Sequence, residues 1–280
     1  MLTNKRILYV GAGSMAEGMI SGMRGSDSIQ TEQIYVTNRT NSERLHELQK
    51  RYSIHGVPRD EVDWNSMDII ILAMKPKDII ASLIDLQDKV QEGQLVISVA
   101  AGIQNEQIEH YLPDSQPVVR IMPNTSSTIG ESATAIATGT HISKDQFALI
   151  KELVQTFGEA FVIEEAQMDI FTGMAGSGPA YFYKLMEHFE ETGVAAGFDR
   201  ETAREIGTQT MLGAARMLVG TKEEPSALRK KVTSPNGTTA AGLEALQEAG
   251  AGEAMTKAIL SAAARSNEIS EELKKQQLTR

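Results

Sequence analysis

The sequence contains no cysteine among its 280 residues. This absence excludes disulfide bonds, thiolate catalysis and cysteine-ligated metal sites. Five histidines are present, and none stands at metal-ligand spacing from another histidine. We therefore expect no metal site.

An excess of basic residues is also missing, since 27 lysines and arginines face 37 aspartates and glutamates and the formal net charge is -10. Proteins that bind nucleic acids or anionic membranes need a basic face, so we expect neither partner. Long apolar runs are absent as well. Residues 69–74 are too few to span a bilayer, and the apolar run at residues 7–10 is too short for the core of a signal peptide. We expect a cytoplasmic protein.

The apolar segments of the first half predict a parallel sheet. Short apolar or β-branched runs alternate with helical segments, which is the pattern of βαβ units with right-handed crossovers. The predicted strands are residues 7–10, 34–37, 69–73, 95–99, 118–121, 134–137 and 160–163. The predicted helices are residues 14–24, 42–52 and 78–90, with a further helix between the last two strands.

The pattern changes after about Glu165, where alanine, methionine, leucine, glutamate and lysine recur at helical spacing. Small and apolar residues share one face of a long predicted helix between Ala203 and Met217. We expect an all-helical domain over residues 165–280 that also supplies a subunit interface. Ordinary packing within one chain is the alternative explanation for the small residues.

A glycine-rich segment follows the first predicted strand and opens the first predicted helix. It matches the GxGxxG/A fingerprint, in which the first glycine allows a tight turn and the second lets the backbone approach a pyrophosphate at the helix N-terminus. The predicted cofactor contacts here are Gly11, Ala12, Gly13, Ser14 and Met15. We therefore predict an α/β fold with an N-terminal Rossmann-type dinucleotide-binding domain, residues 1–164, followed by the all-helical C-terminal dimerisation domain.

The end of the second predicted strand favours NADPH over NADH. NAD sites carry an acidic residue about twenty positions after the glycines, whereas an arginine suits a 2′-phosphate. This sequence has Thr37-Asn38-Arg39-Thr40 there, without a carboxylate. We assign Asn38 and Arg39 to the cofactor and expect weaker use of NADH; a solvated loop arginine is the alternative for Arg39.

Two later strand ends are expected to complete the cofactor site, because ligands in such sheets lie at the carboxyl ends of the strands. The predicted contacts there are Ala73, Met74, Lys75, Pro76, Val99, Ala100 and Ala101. For Lys75, a phosphate or structural partner is favoured over a role as a catalytic cation.

The start of the helical half lacks a proton-transfer group. Gly173, Gly176 and Gly178 have the spacing of the GxxGxGxxxK segment of 3-hydroxy-acid dehydrogenases, but Phe182 stands where the acid/base lysine would be. Lys184 is on a different side of the helix and is no substitute. Alcohol oxidation needs a base, whereas a protonated C=N bond accepts hydride readily, so the sequence points to imine reduction.

Four segments together resemble the pyrroline-5-carboxylate reductase family. They are LRKKVTSPNGTTAAGL at residues 228–243, AMKP at 73–76, RIMPNT at 120–125 and GSGPAY at 176–181. With the glycine fingerprint they span most of the chain. The resemblance implies NADPH-dependent reduction of 1-pyrroline-5-carboxylate to L-proline, the last step of proline biosynthesis. It also implies a homodimer that is sometimes assembled into a larger ring such as a decamer.

The resemblance places the substrate on the segment between two helices, where backbone N–H groups hold its carboxylate. The implied substrate contacts are Lys231, Ser234, Gly237, Thr238 and Thr239, and Thr239 is the implied catalytic residue, bonded to the ring nitrogen. Local chemistry agrees, because residues 234–237 form a turn sequence and a helix is predicted from about Thr238. Lys231 either adds charge to the carboxylate site or faces water, and Glu165 either touches the cofactor or is a solvated charge.

Three other functions stay open. The first is reduction of another cyclic imino acid, which a carboxylate-binding turn would also suit. The second is a 3-hydroxy-acid dehydrogenase, against which Phe182 counts. The third is a sensor that binds NADPH without consuming it.

Overall fold

The structure is a computed structural model that describes residues 1–278, with side chains up to residue 275. The chain divides into two compact units, one formed by Met1–Ser177 and the segment from Leu260 onward, the other by Gly178–Ile259. Within residues 1–278, no helix combines the length and apolar character needed to cross a membrane.

In the described residues, the first unit contains an eight-stranded sheet with the order β3-β2-β1-β4-β5-β6-β7-β8. Its strands are β1 Ile7–Val10, β2 Ile34–Thr37, β3 His55–Gly56, β4 Ile69–Leu72, β5 Leu95–Ser98, β6 Val118–Met122, β7 Ser132–Thr138 and β8 Gly158–Val162. Its helices are α1 Ser14–Met23, α2 Ser42–Tyr52, α3 Pro76–Leu86, α4 Asn105–Glu109, α5 Lys144–Gln155 and α6 Met168–Phe171. The two-residue strand β3 was not predicted, and α3 begins earlier than predicted because Pro76 occupies its first turn.

The prediction of a parallel sheet is confirmed for β1, β2, β4, β5 and β6, but β7 runs antiparallel to β6. A parallel return needs a crossover of a dozen or more residues. Only the short 3₁₀ segment Thr125–Ile129 connects these two strands, so the chain turns back on itself. Strand β8 follows helix α5 and pairs parallel to β7.

Both faces of the sheet are covered, which explains the continuous apolar strands. Ile7 and Tyr9 of β1 pack into one buried cluster, whereas Leu8 and Val10 pack into a second cluster on the other face. Successive side chains of a strand point to opposite faces, so a strand buried on both sides needs apolar residues at every position. All four residues of β1 and of β4 are buried accordingly.

The second unit is entirely helical in the described residues, as predicted. It contains α7 Gly178–Ala195, α8 Arg200–Thr221, α9 Pro225–Lys231, α10 Thr238–Glu248 and the first part of α11 Ala251–Leu278. Small residues let α7 and α8 approach closely: a Cβ on Gly193 would lie 2.8 Å from that of Ala203, and one on Gly207 would lie 2.6 Å from the Met186 methyl carbon. Large apolar side chains nevertheless stay exposed, among them Phe182 at 51% and Val219 at 77%.

The boundary between the two compact units does not coincide with the predicted boundary after residue 164. Residues 165–177 and the end of α11 pack on the first unit, because Ser266 Oγ donates to Asp169 Oδ1 at 2.7 Å and Leu273 is buried in the second apolar cluster. The division into functional domains at residue 164 therefore stays a prediction.

Candidate active site

A cleft of about 630 Å³ opens at the carboxyl ends of β1, β2 and β4. It brings together residues that the sequence predicted for the cofactor from three separate segments, namely Gly11, Asn38, Arg39 and Met74. The remaining lining residues are Val10, Thr40, Arg59, Asp78, Ala81, Ser82 and Asp85. The predicted position of the cofactor at the strand ends thus coincides with a cavity of suitable size.

Gly11 is required at its position for two reasons. Its φ is +121°, and a Cβ there would lie 2.4 Å from the Ala73 carbonyl oxygen. Its N–H donates to the Thr37 carbonyl at 2.8 Å, which ties the end of β1 to the end of β2. At Gly13, by contrast, an added Cβ would meet no atom of the described residues within 4 Å apart from its chain neighbours and the helix's own backbone. This open space at the start of α1 can accommodate a pyrophosphate against the free N–H groups of the helix.

Arg44 supports the glycine loop from α2, a role that no pattern in the sequence indicated. Its Nε donates to the Ala12 carbonyl at 3.1 Å, and its guanidinium also pairs with the Glu17 carboxylate. The Ala12 carbonyl and the Gly13 N–H belong to one trans peptide and point in opposite directions. By holding the carbonyl, Arg44 therefore turns the Gly13 N–H away from α2.

The Glu17 carboxylate, near the start of α1, has three partners that are cations or hydrogen-bond donors. Arg51 contacts its carboxylate at 3.0 Å and the Tyr52 hydroxyl donates to it at 2.9 Å, in addition to Arg44. Burial raises the pKa of Glu17, but the hydrogen bonds from Arg44 and Tyr52 and the charges of Arg44 and Arg51 outweigh burial. The pKa of this carboxyl therefore lies below its usual value, and Glu17 is ionised at neutral pH.

Asn38 and Arg39 have different positions in the loop after β2. The Asn38 side chain donates to the Asn41 carbonyl at 2.7 Å and accepts from the Asn41 N–H at 2.9 Å, so it shapes the loop. Arg39 is exposed, and within the described side chains it forms no ion pair. Its guanidinium is therefore available to an anion in the cleft.

At the ends of β4 and β5, the groups that a ligand could contact are mainly main-chain atoms. Ala73 and Ala100 are buried, so their contacts to a ligand would come from main-chain atoms. Lys75 is the N-cap of α3 and its side chain is exposed. Val99 and Ala101 are partly exposed on either side of Ala100.

Glu165 is paired within the protein and is not a solvated charge. Its Oε1 accepts from Arg120 at 2.9 Å and from the Asn105 backbone N–H at 2.8 Å. The Arg120 side chain is only 4% exposed, in the middle of β6. Since a buried guanidinium needs a partner, Glu165 compensates the charge of Arg120.

The segment around Gly176 forms a π-helix at Thr172–Gly176, which the sequence did not predict. Ser177 N donates to the Thr172 carbonyl at 2.8 Å, five residues back. Asn124, from the RIMPNT segment, donates through Nδ2 to the Ala175 carbonyl at 3.0 Å. Such π-helical turns are frequent at functional sites.

In the second unit, the turn and the helix start expected after α9 are both present. Gly237 N donates to the Ser234 carbonyl at 3.1 Å, and Asn236 has a φ of +58°. Gly237 then caps α10, and among the described side chains none forms a capping hydrogen bond at the start of this helix. Thr239 is exposed in the first turn, and its hydroxyl has no partner in the part of the chain that the structure describes. The segment thus offers backbone N–H donors and the exposed hydroxyls of Ser234, Thr238 and Thr239.

Lys231 lies at the end of α9 and is already paired. Its Nζ contacts the two carboxylate oxygens of Glu223 at 2.7 and 2.5 Å. Its charge is therefore compensated by Glu223, and its side chain is 63% exposed, so Lys231 faces water, which is one of the two arrangements expected from the sequence. Lys184 of α7 pairs with Glu187 at 2.7 Å, so it too is not a free cation near Phe182.

The predicted cofactor residues belong to the first unit and the predicted substrate residues to the second. Among the side chains described, no three His, Asp or Glu residues come together in a way that could hold a metal ion.

Comparisons with known proteins agree on one family. A family model described as pyrroline-5-carboxylate reductase dimerisation matches residues 165–269, and one described as NADP oxidoreductase coenzyme F420-dependent matches residues 6–102. The chain is 55% identical to pyrroline-5-carboxylate reductase 1 of Bacillus subtilis (strain 168), over 97% of this chain and 91% of that protein. It is 45% identical to pyrroline-5-carboxylate reductase 2 of the same organism, over 96% of each.

A solved structure is similar over nearly the whole length. The pyrroline-5-carboxylate reductase of Coxiella burnetii superimposes with a TM-score of 0.85 at 32% identity, over 95% of this chain and 99% of that one.

Proposed function

The chain belongs to the pyrroline-5-carboxylate reductase family, and from this premise we propose that it reduces the C=N bond of 1-pyrroline-5-carboxylate to give L-proline, the last step of proline biosynthesis. The observation that carries the proposal is the turn at residues 234–237. This turn leaves the first amides of α10 uncapped beside the exposed hydroxyl of Thr239. Amides at a helix N-terminus suit a carboxylate, and the hydroxyl suits a ring nitrogen.

A nicotinamide dinucleotide fits the first unit, because Gly11 lets the loop turn tightly and the space before Gly13 is open. When bound, NADPH supplies the hydride. The residues that would hold it are the loop from Gly11 to Met15, Asn38 and Arg39, the segment 73–76 and the segment 99–101. The uncompensated charge of Arg39 supports NADPH over NADH, since a 2′-phosphate is the one charged group that distinguishes the two.

On the substrate side, Ser234, Gly237 and Thr238 would present donors to the carboxylate, while Thr239 would orient the ring nitrogen. Lys231 is paired with Glu223, so it would have to break this ion pair before it could bind the carboxylate. Phe182 occupies the place of an acid/base lysine, which a protonated imine does not require. The proton on nitrogen would come from solvent before the hydride is transferred.

The dimerisation model that matches residues 165–269 shows an oligomeric protein. We propose a homodimer formed through the domain predicted at residues 165–280, and exposed apolar side chains such as Phe182 and Val219 support it, because apolar surface left uncovered in one chain marks interfaces. A larger ring such as a decamer, and a cytoplasmic location, remain predictions.

One assay tests the reaction. NADPH oxidation is followed with a five-membered and a six-membered cyclic imino acid, and we expect turnover with 1-pyrroline-5-carboxylate. Preference for the larger ring would instead support the alternative imine reductase, and oxidation of a 3-hydroxy acid would support the dehydrogenase. Tight binding of NADPH without consumption would identify a sensor.

Replacing Thr239 by alanine tests the catalytic assignment. We expect kcat to fall while the Kd for NADPH stays unchanged, because the proposed partner of the hydroxyl is the substrate and not the cofactor. Thr239→Ser is the matched control, since it keeps the hydroxyl and should retain most of the activity. Equal kinetics for the alanine variant and the wild type would remove Thr239 from the mechanism.

A further inference from the structure

Arg59 lines the cofactor cleft although no sequence motif pointed to it. We propose that the Arg59 guanidinium is the platform on which the adenine ring of the cofactor stacks. This inference rests on the proposed dinucleotide site and adds a binding residue to it.

Three neighbours hold the guanidinium in one orientation. Its Nε and one terminal nitrogen donate to Asp85 Oδ2 at 3.3 and 2.9 Å, and the same terminal nitrogen reaches Ser82 Oγ at 3.4 Å. The guanidinium carbon lies 4.8 Å from the centre of the Trp64 ring. The Arg59 side chain is only 20% exposed as a result. A guanidinium held in this way is a rigid, flat surface at the wall of the cleft.

The charge of Arg59 is compensated, which separates its role from that of Arg39. Asp85, a residue of α3, also accepts a hydrogen bond from Lys89 at 2.6 Å, so it pairs with two cations. The hydrogen bond from Lys89 lowers the pKa of Asp85, burial opposes it, and the bond from Arg59 lowers it further, so this carboxylate is ionised at neutral pH. Arg59 is therefore poorly suited to hold a phosphate, whereas Arg39 in the same cleft is free to do so.

The position of Arg39 identifies the base that Arg59 would meet. The 2′-phosphate belongs to the adenosine half of NADPH, so the base next to a phosphate on Arg39 is adenine and not nicotinamide. The cleft at this end is lined by small side chains of α3, Ala81 and Ser82, which leave room for a planar ring. Nucleic-acid bases stack on arginine guanidinium planes in the same way.

A fluorescence titration can test the platform without any turnover. Trp64 is the single tryptophan of the chain and lies against Arg59, so its emission should change when a ring stacks there. The wild-type protein is titrated with ADP-ribose, with its 2′-phosphorylated form and with nicotinamide mononucleotide. We expect the two adenosine ligands to change the emission of Trp64 and the mononucleotide to leave it unchanged.

The variants Arg59→Ala and Arg59→Lys are then compared by calorimetric titration, which does not depend on Trp64. We expect both to weaken ADP-ribose and its 2′-phosphorylated form to the same extent, by about tenfold. Binding of nicotinamide mononucleotide should not change. Arg39→Ala is the matched control and should weaken only the phosphorylated ligand.

Two results would overturn the proposal. One is unchanged affinity for ADP-ribose in both folded Arg59 variants. The other is a loss confined to the phosphorylated ligand, which would make Arg59 a second phosphate contact. Because ADP-ribose carries no nicotinamide, these results are independent of whether the protein reduces 1-pyrroline-5-carboxylate.

Discussion

Replacing Arg44 by methionine should weaken the binding of NADPH and NADH equally. Arg44 Nε donates to the Ala12 carbonyl at 3.1 Å, which fixes the peptide whose other side carries the Gly13 N–H. The pyrophosphate that this amide would meet is common to both cofactors. Hydrogen bonds to charged groups contribute about 1.5–3 kcal/mol, and Arg44 keeps some contact with solvent, so we take the lower value. That loss corresponds to about a tenfold rise in both dissociation constants.

The assay is calorimetric titration of each folded variant with NADPH and NADH. Arg51→Met is the matched control. Arg51 lies on α2, like Arg44, and pairs with Glu17 at 3.0 Å, but it forms no hydrogen bond with Ala12. Its side chain is 62% exposed, so the exposed ion pair contributes little and binding should change by less than about twofold. Similar losses in both variants would attribute the effect to Glu17, and unchanged binding in Arg44→Met would refute the role in positioning the loop.

Four further substitutions follow from the structure. Arg39→Ala should raise the KM for NADPH at least about tenfold and leave that for NADH nearly unchanged, because only NADPH carries the 2′-phosphate. Gly11→Ala should abolish binding of both cofactors, since its Cβ would lie 2.4 Å from the Ala73 carbonyl oxygen at a φ of +121°. Glu17→Gln should lower the free energy of unfolding by about 2 kcal/mol at neutral pH. The pKa of Glu17 is depressed in the folded state, so the difference from wild type should shrink as pH falls below the ordinary carboxyl value of about 4.3. Glu165→Gln should cost about 3 kcal/mol in urea unfolding, because it leaves a buried guanidinium without its counterion.

Each of these has a contrary outcome. Equal changes in the two KM values would exclude Arg39 as a phosphate ligand, and a binding-competent Gly11→Ala protein would show that the loop can shift. A stability difference for Glu17→Gln that persists or grows in acid would contradict the sign of the pKa shift. An unaltered urea midpoint for Glu165→Gln would mean that the ion pair does not stabilise the fold.

The regular part of the fold was predictable because its signals are local. A strand covered on both faces needs apolar residues at every position, so Ile7–Val10 and Ile69–Leu72 stood out in the sequence. The reversal of β7 was not visible, since strand direction depends on the connection and not on the strand's own residues. The two-residue strand β3 and the π-helix at Thr172–Gly176 carry no periodic pattern at all.

The candidate site could be proposed from the sequence where one short segment carries the whole signal. The glycine loop and the turn at residues 234–237 are of this kind, because their chemistry depends on neighbouring residues. Arg44 and Arg59 were missed because their partners lie far along the chain, Ala12 in one case and Asp85 in the other. The pairing of Lys231 with Glu223 likewise depends on how α9 packs, which spacing does not reveal.

The most direct test of the account follows the hydride itself. The protein is given 1-pyrroline-5-carboxylate and NADPH that carries deuterium at the transferable nicotinamide position, and the product is analysed by mass spectrometry and NMR. The account predicts L-proline with one deuterium on the ring carbon that had been doubly bonded to nitrogen. Oxidation of NADPH without deuterium in the product, or no oxidation with this imine, would contradict it.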